Sequence, residues 1–255
     1  MDERDYAGRQ IRGARAVQED SYGVVPRAEF GGELRDLFLV VADGMGGHAA
    51  GEVASSLAVN SFAETFLESG TACDAGRLWD CLEEANRRIG REISARGSEV
   101  QGMGTTLLAV LLRGTEARWI SVGDSPLYLI SGGKIKRLNQ IHSKAAELAK
   151  QVEQGLITES EASQDPERHV LVSALIGEAI YDVDDSPPLA VKAGDFLIAA
   201  TDGLDTLSQE EVFAVVSSLS EGDAATVAEG LLQAVESREA PKQDNTTVVV
   251  VRLPG

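Results

Sequence analysis

Four aspartates stand at the ends of apolar segments, a residue type and a placement that suit the binding of hard cations. In Val40-Val41-Ala42-Asp43-Gly44-Met45-Gly46-Gly47-His48-Ala49-Ala50 an apolar run ends in Asp43, and glycines lead into a helical stretch. Hard divalent cations take oxygen ligands from carboxylates, main-chain carbonyls and water. The same glycines fit a dinucleotide-binding spacing, Gly44-x-Gly46-x-x-Ala49. That alternative fails, because Asp43 would set a negative charge against the pyrophosphate. The helix pattern also runs past Glu64 without reaching a second strand that carries a ribose-binding acid. A metal site is the better account.

Three more segments repeat the theme. Ile198-Ala199-Ala200-Thr201-Asp202-Gly203 and Trp119-Ile120-Ser121-Val122-Gly123-Asp124-Ser125 are apolar strands that close on an aspartate. Asp244-Asn245-Thr246-Thr247 runs into Val248-Val249-Val250-Val251, so there the acid precedes its strand. Any one of these is an ordinary turn sequence. As a set they place carboxylates beside strands apolar enough to be buried. Carboxylates that converge at strand ends repel one another unless cations neutralise them. Two metals about 3.5–4 Å apart, sharing a carboxylate and a water, would do so and would activate that water.

These motifs, in this order, resemble the metal-dependent serine/threonine protein phosphatases of type 2C, particularly their compact bacterial branch. The resemblance runs from about Arg12 to Leu253. Arg15-Ala16-Val17-Gln18-Glu19-Asp20 is similar to the family's Arg-x-x-Asn-Glu-Asp, with Gln18 in place of Asn. Phe38 to Gly51 carries its Asp-Gly-x-Gly-Gly-His, Gly104-Thr105-Thr106 its Gly-Thr-Thr, and Gly123-Asp124-Ser125 its Gly-Asp-Ser. The segments at Asp202 and Asp244 match the last two metal motifs. The resemblance implies that Asp43 bridges two Mn²⁺ or Mg²⁺ ions and that the Gly44 carbonyl joins one of them. Asp202 and Asp244 would complete the other. Asp124 with Asp202 would form a third, weaker site. Glu19 and Asp20 would hold metal-bound waters, and Arg15 would grip the substrate phosphate with its planar guanidinium. The implied reaction is hydrolysis of phosphoserine and phosphothreonine in proteins, the substrates of a serine/threonine kinase.

Besides Gln18, the chain departs from the family at three places. Pro126 replaces the arginine after Gly-Asp-Ser and should start its strand or lie on an edge. Ile141-His142-Ser143 has lost the acid of Asp-His-Ser, which bears on the flap that follows. Met45 stands where some members carry a histidine thought to act as a general acid, and His48 reads as a helix-start residue rather than a substitute. Pro126 and Ile141 keep one competing reading in view, and the motifs by themselves leave a second. One is a catalytically impaired relative that serves as a regulatory, partner-binding module. The other is a metal phosphatase for small phosphate esters.

The elements that must position these residues are legible in outline. Glu52–Phe66 reads as a mostly buried helix and Leu78–Ile93 as a charged amphipathic one. Thr105–Leu112, Trp119–Val122, Leu127–Ile130 and Ile135–Leu138 read as successive antiparallel strands, with Ser131-Gly132-Gly133-Lys134 as a hairpin turn. Lys144–Glu161 is helical and broken at Gly155, the expected flap near residues 144–168. Asp182-Val183-Asp184-Asp185 lacks the glycine and glutamate of a calcium loop and reads as a surface turn. The expected fold is α/β (α+β), one catalytic domain over residues 1–255 with two antiparallel sheets packed face to face. Flanking helices, in a four-layer α-β-β-α sandwich, are what the resemblance adds.

Composition agrees. With 255 residues, 43% of them hydrophobic, the chain can bury a full core. A net charge of −18 argues against a nucleic-acid partner, since phosphate-backbone binding depends on clustered lysine and arginine. No apolar run of membrane-spanning length occurs. The acidic start, Met1-Asp2-Glu3-Arg4-Asp5, is unlike a signal peptide, and with Leu253 two residues from the end no regulatory or transmembrane tail is expected. A cytoplasmic monomer is expected. Cys73 and Cys81 lie about 12 Å apart along a helix rising about 1.5 Å per residue, too far for a disulfide. His48, His142 and His169 make no zinc-like cluster.

Overall fold

The computed structural model describes residues 4–26, 36–46, 50–69, 74–100, 102–168 and 170–254; His48, Cys73 and His169 lie outside the described residues. The chain begins with β1 (Tyr6–Ile11), β2 (Asp20–Pro26) and β3 (Leu37–Met45), then the helices α1 (Ala50–Glu68) and α2 (Asp74–Arg96). A run of strands follows: β4 (Gly104–Thr105), β5 (Leu107–Arg113), β6 (Glu116–Val122), β7 (Leu127–Ser131) and β8 (Lys134–Arg137). Next come α3 (Lys144–Glu153), α4 (Glu159–Gln164), β9 (Asp184–Asp185), β10 (Leu189–Ala190) and β11 (Phe196–Ala200). A 3-10 turn at Asp202–Thr206, α5 (Gln209–Ser218), α6 (Ala224–Glu236) and β12 (Thr246–Arg252) complete it. One sheet has the order β1-β12-β11-β7-β8 and the other β10-β6-β5-β3-β2, with β4 added to β3 and β9 to β6. The pairings are antiparallel.

Strand periodicity explains the layering. Successive strand side chains point to opposite faces, and in β3 both faces are apolar. Phe38, Val40 and Ala42 pack in a core with α1 and α2. Leu37, Leu39 and Val41 pack in a second core that joins the two sheets. In β12, Val249 and Val251 face that shared core, whereas Val248 and Val250 face a third core with α5 and α6. Strands buried on both faces read as unbroken apolar runs rather than alternating ones. This is the α-β-β-α sandwich.

Helix α1 buries Ala50, Ala54, Ala58, Phe62 and Phe66, a four-residue spacing that aligns them along one stripe. The alanines let the helix approach β3, and the phenylalanines stack: Phe38 lies 4.3 Å from Phe66 and 5.5 Å from Phe62 between ring centroids. Helix α2 buries Leu78, Cys81, Leu82, Ala85 and Ile89 and turns its charged face outward. Ser208 and Glu211 form a capping box on α5, and Thr158 and Glu161 another on α4. Gly155, with a φ of 69°, lies between α3 and α4.

Several sequence expectations need adjustment. The strand expected at Thr105–Leu112 divides into β4 and β5 at Thr106. Asp182–Asp185 is not a free surface turn. Asp184 is buried and accepts hydrogen bonds from the Trp119 indole at 2.9 Å and the Gln140 amide at 3.0 Å. Asp184 and Asp185 pair with β6, an arrangement that no calcium-loop comparison could reveal. Strands β1 and β2 escaped the sequence reading because glycine and polar residues interrupt their pattern. Pro126 immediately precedes β7, where its missing N–H costs no ladder bond.

The stacked phenylalanines fix the strand that carries Asp43. Phe38→Ala should lower unfolding stability by about 3–5 kcal/mol, the range for large aromatic-to-alanine cavities. Urea unfolding measures this, and a loss below about 1 kcal/mol would show that the stack is dispensable.

Candidate active site

The ends of β2 and β3 meet those of β11 and β12 at a cleft of about 1030 Å³. Arg15, Glu19, Asp43, Gly44, Asp124, Asp202 and Asp244 all line it. Asp20 does not. Its Cα lies opposite that of Asp43 in the β2–β3 pairing, and its carboxylate is buried behind the cleft.

Each side chain is held by a local device. The Asp43 N–H donates to Thr106 Oγ1 at 2.9 Å, and its carbonyl accepts from the Thr106 N–H and Thr105 Oγ1. Gly44 is required by contact, since a Cβ there would meet the Gly51 carbonyl oxygen at 2.0 Å and the Glu19 carbonyl oxygen at 2.5 Å. The Ser55 hydroxyl, on α1, donates to the Glu19 carbonyl and ties that loop to the helix. Asp202 opens the 3-10 turn, and a Cβ on the next residue, Gly203, would clash with the Asn245 carbonyl oxygen at 2.0 Å. Asp244 accepts the Asn245 N–H on Oδ1 and the Arg15 guanidinium on Oδ2. Arg137 donates to the Asp124 carbonyl at 2.5 Å.

Several of these supports received no role in the sequence reading. Asn245 accepts from the Glu19 N–H at 2.8 Å and donates to the carbonyls of Arg12 and Val17. It thereby staples the Arg15 loop to the start of β12. The Gln243 carbonyl accepts from the Ala14 N–H, and its side chain donates to the Gly203 carbonyl. Thr201 and Thr247 both donate hydroxyls to Asp20 Oδ2 at 2.8 Å. Asn245 and Thr247 lie inside a quoted motif, so their position was the available signal; Arg137 carries no local signal. At the altered Ile141-His142-Ser143, Ile141 is partly exposed while His142 stays buried, with Nδ1 accepting the Gly123 N–H. Burial lowers the pKa of His142.

The electrostatics is that of a cation site. Burial, then repulsion by Asp202 and Asp20, raises the Asp43 pKa well above the usual carboxylate range. Burial pushes Asp20 up to about 7 and Asp124 up to about 6, with Asp202 adding to both shifts. Burial and Asp244 raise Asp202 as well. Asp20 Oδ1 and Asp202 Oδ1 are buried without a hydrogen-bond partner. No three of the described acidic, histidine or cysteine side chains already close on one point at metal-ligand spacing. The donors instead ring a cleft, all of them oxygens, and their mutual repulsion is what hard divalent cations relieve. The residues present fit Mn²⁺ or Mg²⁺.

These raised pKa values, set by burial and then by repulsion, give a pH dependence. Below the ordinary carboxylate pKa both folded and unfolded chains are protonated. As pH rises from about 4 to about 7, the unfolded chain loses its protons first and the folded chain retains those on Asp20 and Asp124, so stability falls. In chelator the melting temperature should drop between pH 5 and pH 8, and Asp20→Asn should flatten the drop. Differential scanning calorimetry reads this; equal slopes for both proteins would remove Asp20 from the account.

A protein-family model described as protein phosphatase 2C matches residues 8–246. The serine/threonine protein phosphatase PstP of Mycobacterium tuberculosis is 33% identical over 250 residues, covering 96% of this chain. The chain spans 44% of the length of that relative. The serine/threonine phosphatase stp of Listeria monocytogenes is 31% identical over 190 residues, covering 72% of this chain and 74% of the relative. A crystal structure of the Mycobacterium tuberculosis serine/threonine phosphatase PstP/Ppp superposes with a TM-score of 0.80 at 31% identity, covering 98% of each chain. A PstP catalytic domain in complex with two manganese ions gives 0.77 at 30% identity, again covering 98% of each chain. Motif order, sandwich and carboxylate cleft agree with these matches: the chain belongs to the protein phosphatase 2C family.

Proposed function

We propose that this chain is a metal-dependent protein phosphatase that hydrolyses phosphoserine and phosphothreonine, with Mn²⁺ or Mg²⁺ held at the carboxylate cleft. The observation that carries this is the convergence of Asp43, Asp124, Asp202 and Asp244 with Arg15 on one cleft. Asp43 and the Gly44 carbonyl would bind one cation, and Asp43 with Asp202 and Asp244 the other. Asp124 and Asp202 would hold a third. When bound, the cations neutralise the phosphate and activate a water for in-line attack on phosphorus. Asp43, Asp124 and Asp202, whose pKa values are raised, would stay ionised beside bound cations.

The protein's own groups orient the reactants. The Arg15 guanidinium, about half exposed beside Asp244, offers a planar fork to two phosphate oxygens. The Asn245 staple keeps that arginine at the cleft. Glu19 lines the cleft, and Asp20 stands behind it with Oδ1 free to accept from an ordered water. No carboxylate of the set is replaced, which favours an active enzyme over an impaired relative.

In this reading residues 1–255 act as a single catalytic domain, and α3 and α4, within residues 144–168, are a flap beside the cleft. The substrates are phosphoproteins made by a serine/threonine kinase, in the cytoplasm, and the protein works as a monomer. Among the described residues no helix is long and apolar enough to cross a membrane. The related PstP catalytic domain that holds two manganese ions supports the choice of metal.

Activity on a phosphothreonine peptide should require added Mn²⁺ or Mg²⁺ and disappear in EDTA, because every proposed donor is oxygen. Full turnover after exhaustive dialysis into chelator would sink this reading. Arg15→Ala should raise KM for the peptide about tenfold while changing kcat less, the pattern of lost uniform binding. An unchanged KM would make Arg15 a bystander or a contact made only in the transition state.

A further inference from the structure

One wall of the cleft is apolar and firmly held, and neither property is needed to bind cations. Val170, Val172, Ile176, Ala179 and Tyr181 line the same cleft as Asp43 and Asp124. Val170 is 54% exposed and Tyr181 89% exposed. A single exposed apolar residue needs no explanation. Here a group of them shares the wall of a concave site, where such surface marks binding.

The wall is pinned along its length. The Lys144 N–H donates to the Val170 carbonyl, the Val172 N–H to the His142 carbonyl, and Thr105 and Leu175 exchange both backbone bonds. Farther along, the Gly177 N–H donates to Asn86 Oδ1 at 2.8 Å, and the Asn86 side-chain amide donates to the Glu178 carbonyl. Gly177 rests on Gly90 so closely that a Cβ would come within 2.3 Å of the Gly90 Cα. The Ser173 hydroxyl donates to the Asp182 carbonyl and accepts the Asp182 N–H, closing the segment. A surface fixed beforehand loses little conformational freedom when it binds.

Resting on the protein phosphatase reading, we propose that this wall is a side-chain subsite for an apolar residue of the substrate, within two residues of the phosphorylated one. Wall and carboxylates line one cleft, so a chain whose phosphate meets Arg15 has the wall within the same cavity. Two residues of extended chain reach about 7 Å at about 3.3–3.6 Å each. Residues 170–177 bear no charged side chain. The chain's charge of −18 further disfavours an acidic neighbour.

The test uses the full chain with Mn²⁺ and phosphothreonine peptides of glycine and serine with one lysine at each end. Leucine is placed in turn at each of the two positions before and after the phosphothreonine. At least one leucine peptide should exceed the peptide with glycine at all four of these positions about tenfold in kcat/KM, mostly through KM. That is about 1.4 kcal/mol, equal to roughly 55 Å² of apolar area leaving water at about 25 cal/mol per Å². In the Val170→Ser, Tyr181→Ser double variant the ratio should shrink to within twofold. Because both peptides are measured on one preparation, any general loss of activity cancels. Leucine and glycine peptides within twofold on the unaltered chain, or a ratio that survives in the double variant, would overturn the subsite. Failure to hydrolyse these peptides and an aryl phosphate alike would instead overturn the phosphatase reading beneath it.

Discussion

Everything in this structure is arranged around the repulsion among carboxylates that it holds partly out of water. Burial alone raises the pKa of an acid, and a second carboxylate nearby raises it further. Asp43, Asp202, Asp124 and Asp20 show both effects, each with burial as the larger cause. A fold that keeps such groups together without a counter-charge gives up stability. Protons recover it at low pH, and above that range hard cations bound by the oxygen donors would recover it.

Two sheets are needed because no single strand pair could bring these acids together. Asp20 and Asp43 come from one sheet, whereas Asp202 and Asp244 flank the adjacent strands β11 and β12 of the other. The core of Leu39, Val110, Leu197 and Val249 fixes one sheet on the other. Hydroxyl bonds from Thr201 and Thr247 to Asp20 then cross from sheet to sheet at the site itself. The apolar core sets the approach of the two sheets, and the polar crosslinks set the register of their ends. Protein interiors are close-packed and pass on small displacements, so a shift in either would move the acids relative to one another.

The acids were legible in the sequence because a buried strand that ends in aspartate leaves a local mark. So did α3 and α4, whose break at Gly155 reflects its positive φ. The supports were less visible for a physical reason. Asn245 joins residues more than two hundred positions away, and Arg137 reaches the Asp124 carbonyl from a neighbouring hairpin strand. Nothing in the spacing of either residue announces that geometry. Asp184 was misread for the same reason: its partners, Trp119 and Gln140, are distant in sequence, so an acidic run looked like solvent-facing turn. Strands β1 and β2 were hidden by Gly8 and Gly23. A Cβ on Gly8 would overlap the Tyr22 ring at 2.0 Å, so the residue that breaks the pattern is also the one that lets the strands meet.

The same division runs through the cleft. The acids are fixed by backbone and hydroxyl bonds at strand ends, while Arg15 sits on a loop anchored at its flanks by Asn245, Gln243 and Ser55. Its guanidinium rests on Asp244, a carboxylate that the proposed second cation would also use. Both cannot neutralise Asp244 fully at once, because each favours the ionised oxygen by the same Coulombic attraction. A cation bound at Asp244 would therefore weaken the hold on Arg15 and leave the guanidinium free to meet an anion. In the proposed reading, metal loading and phosphate binding would be coupled through this one carboxylate, with no movement of either sheet required.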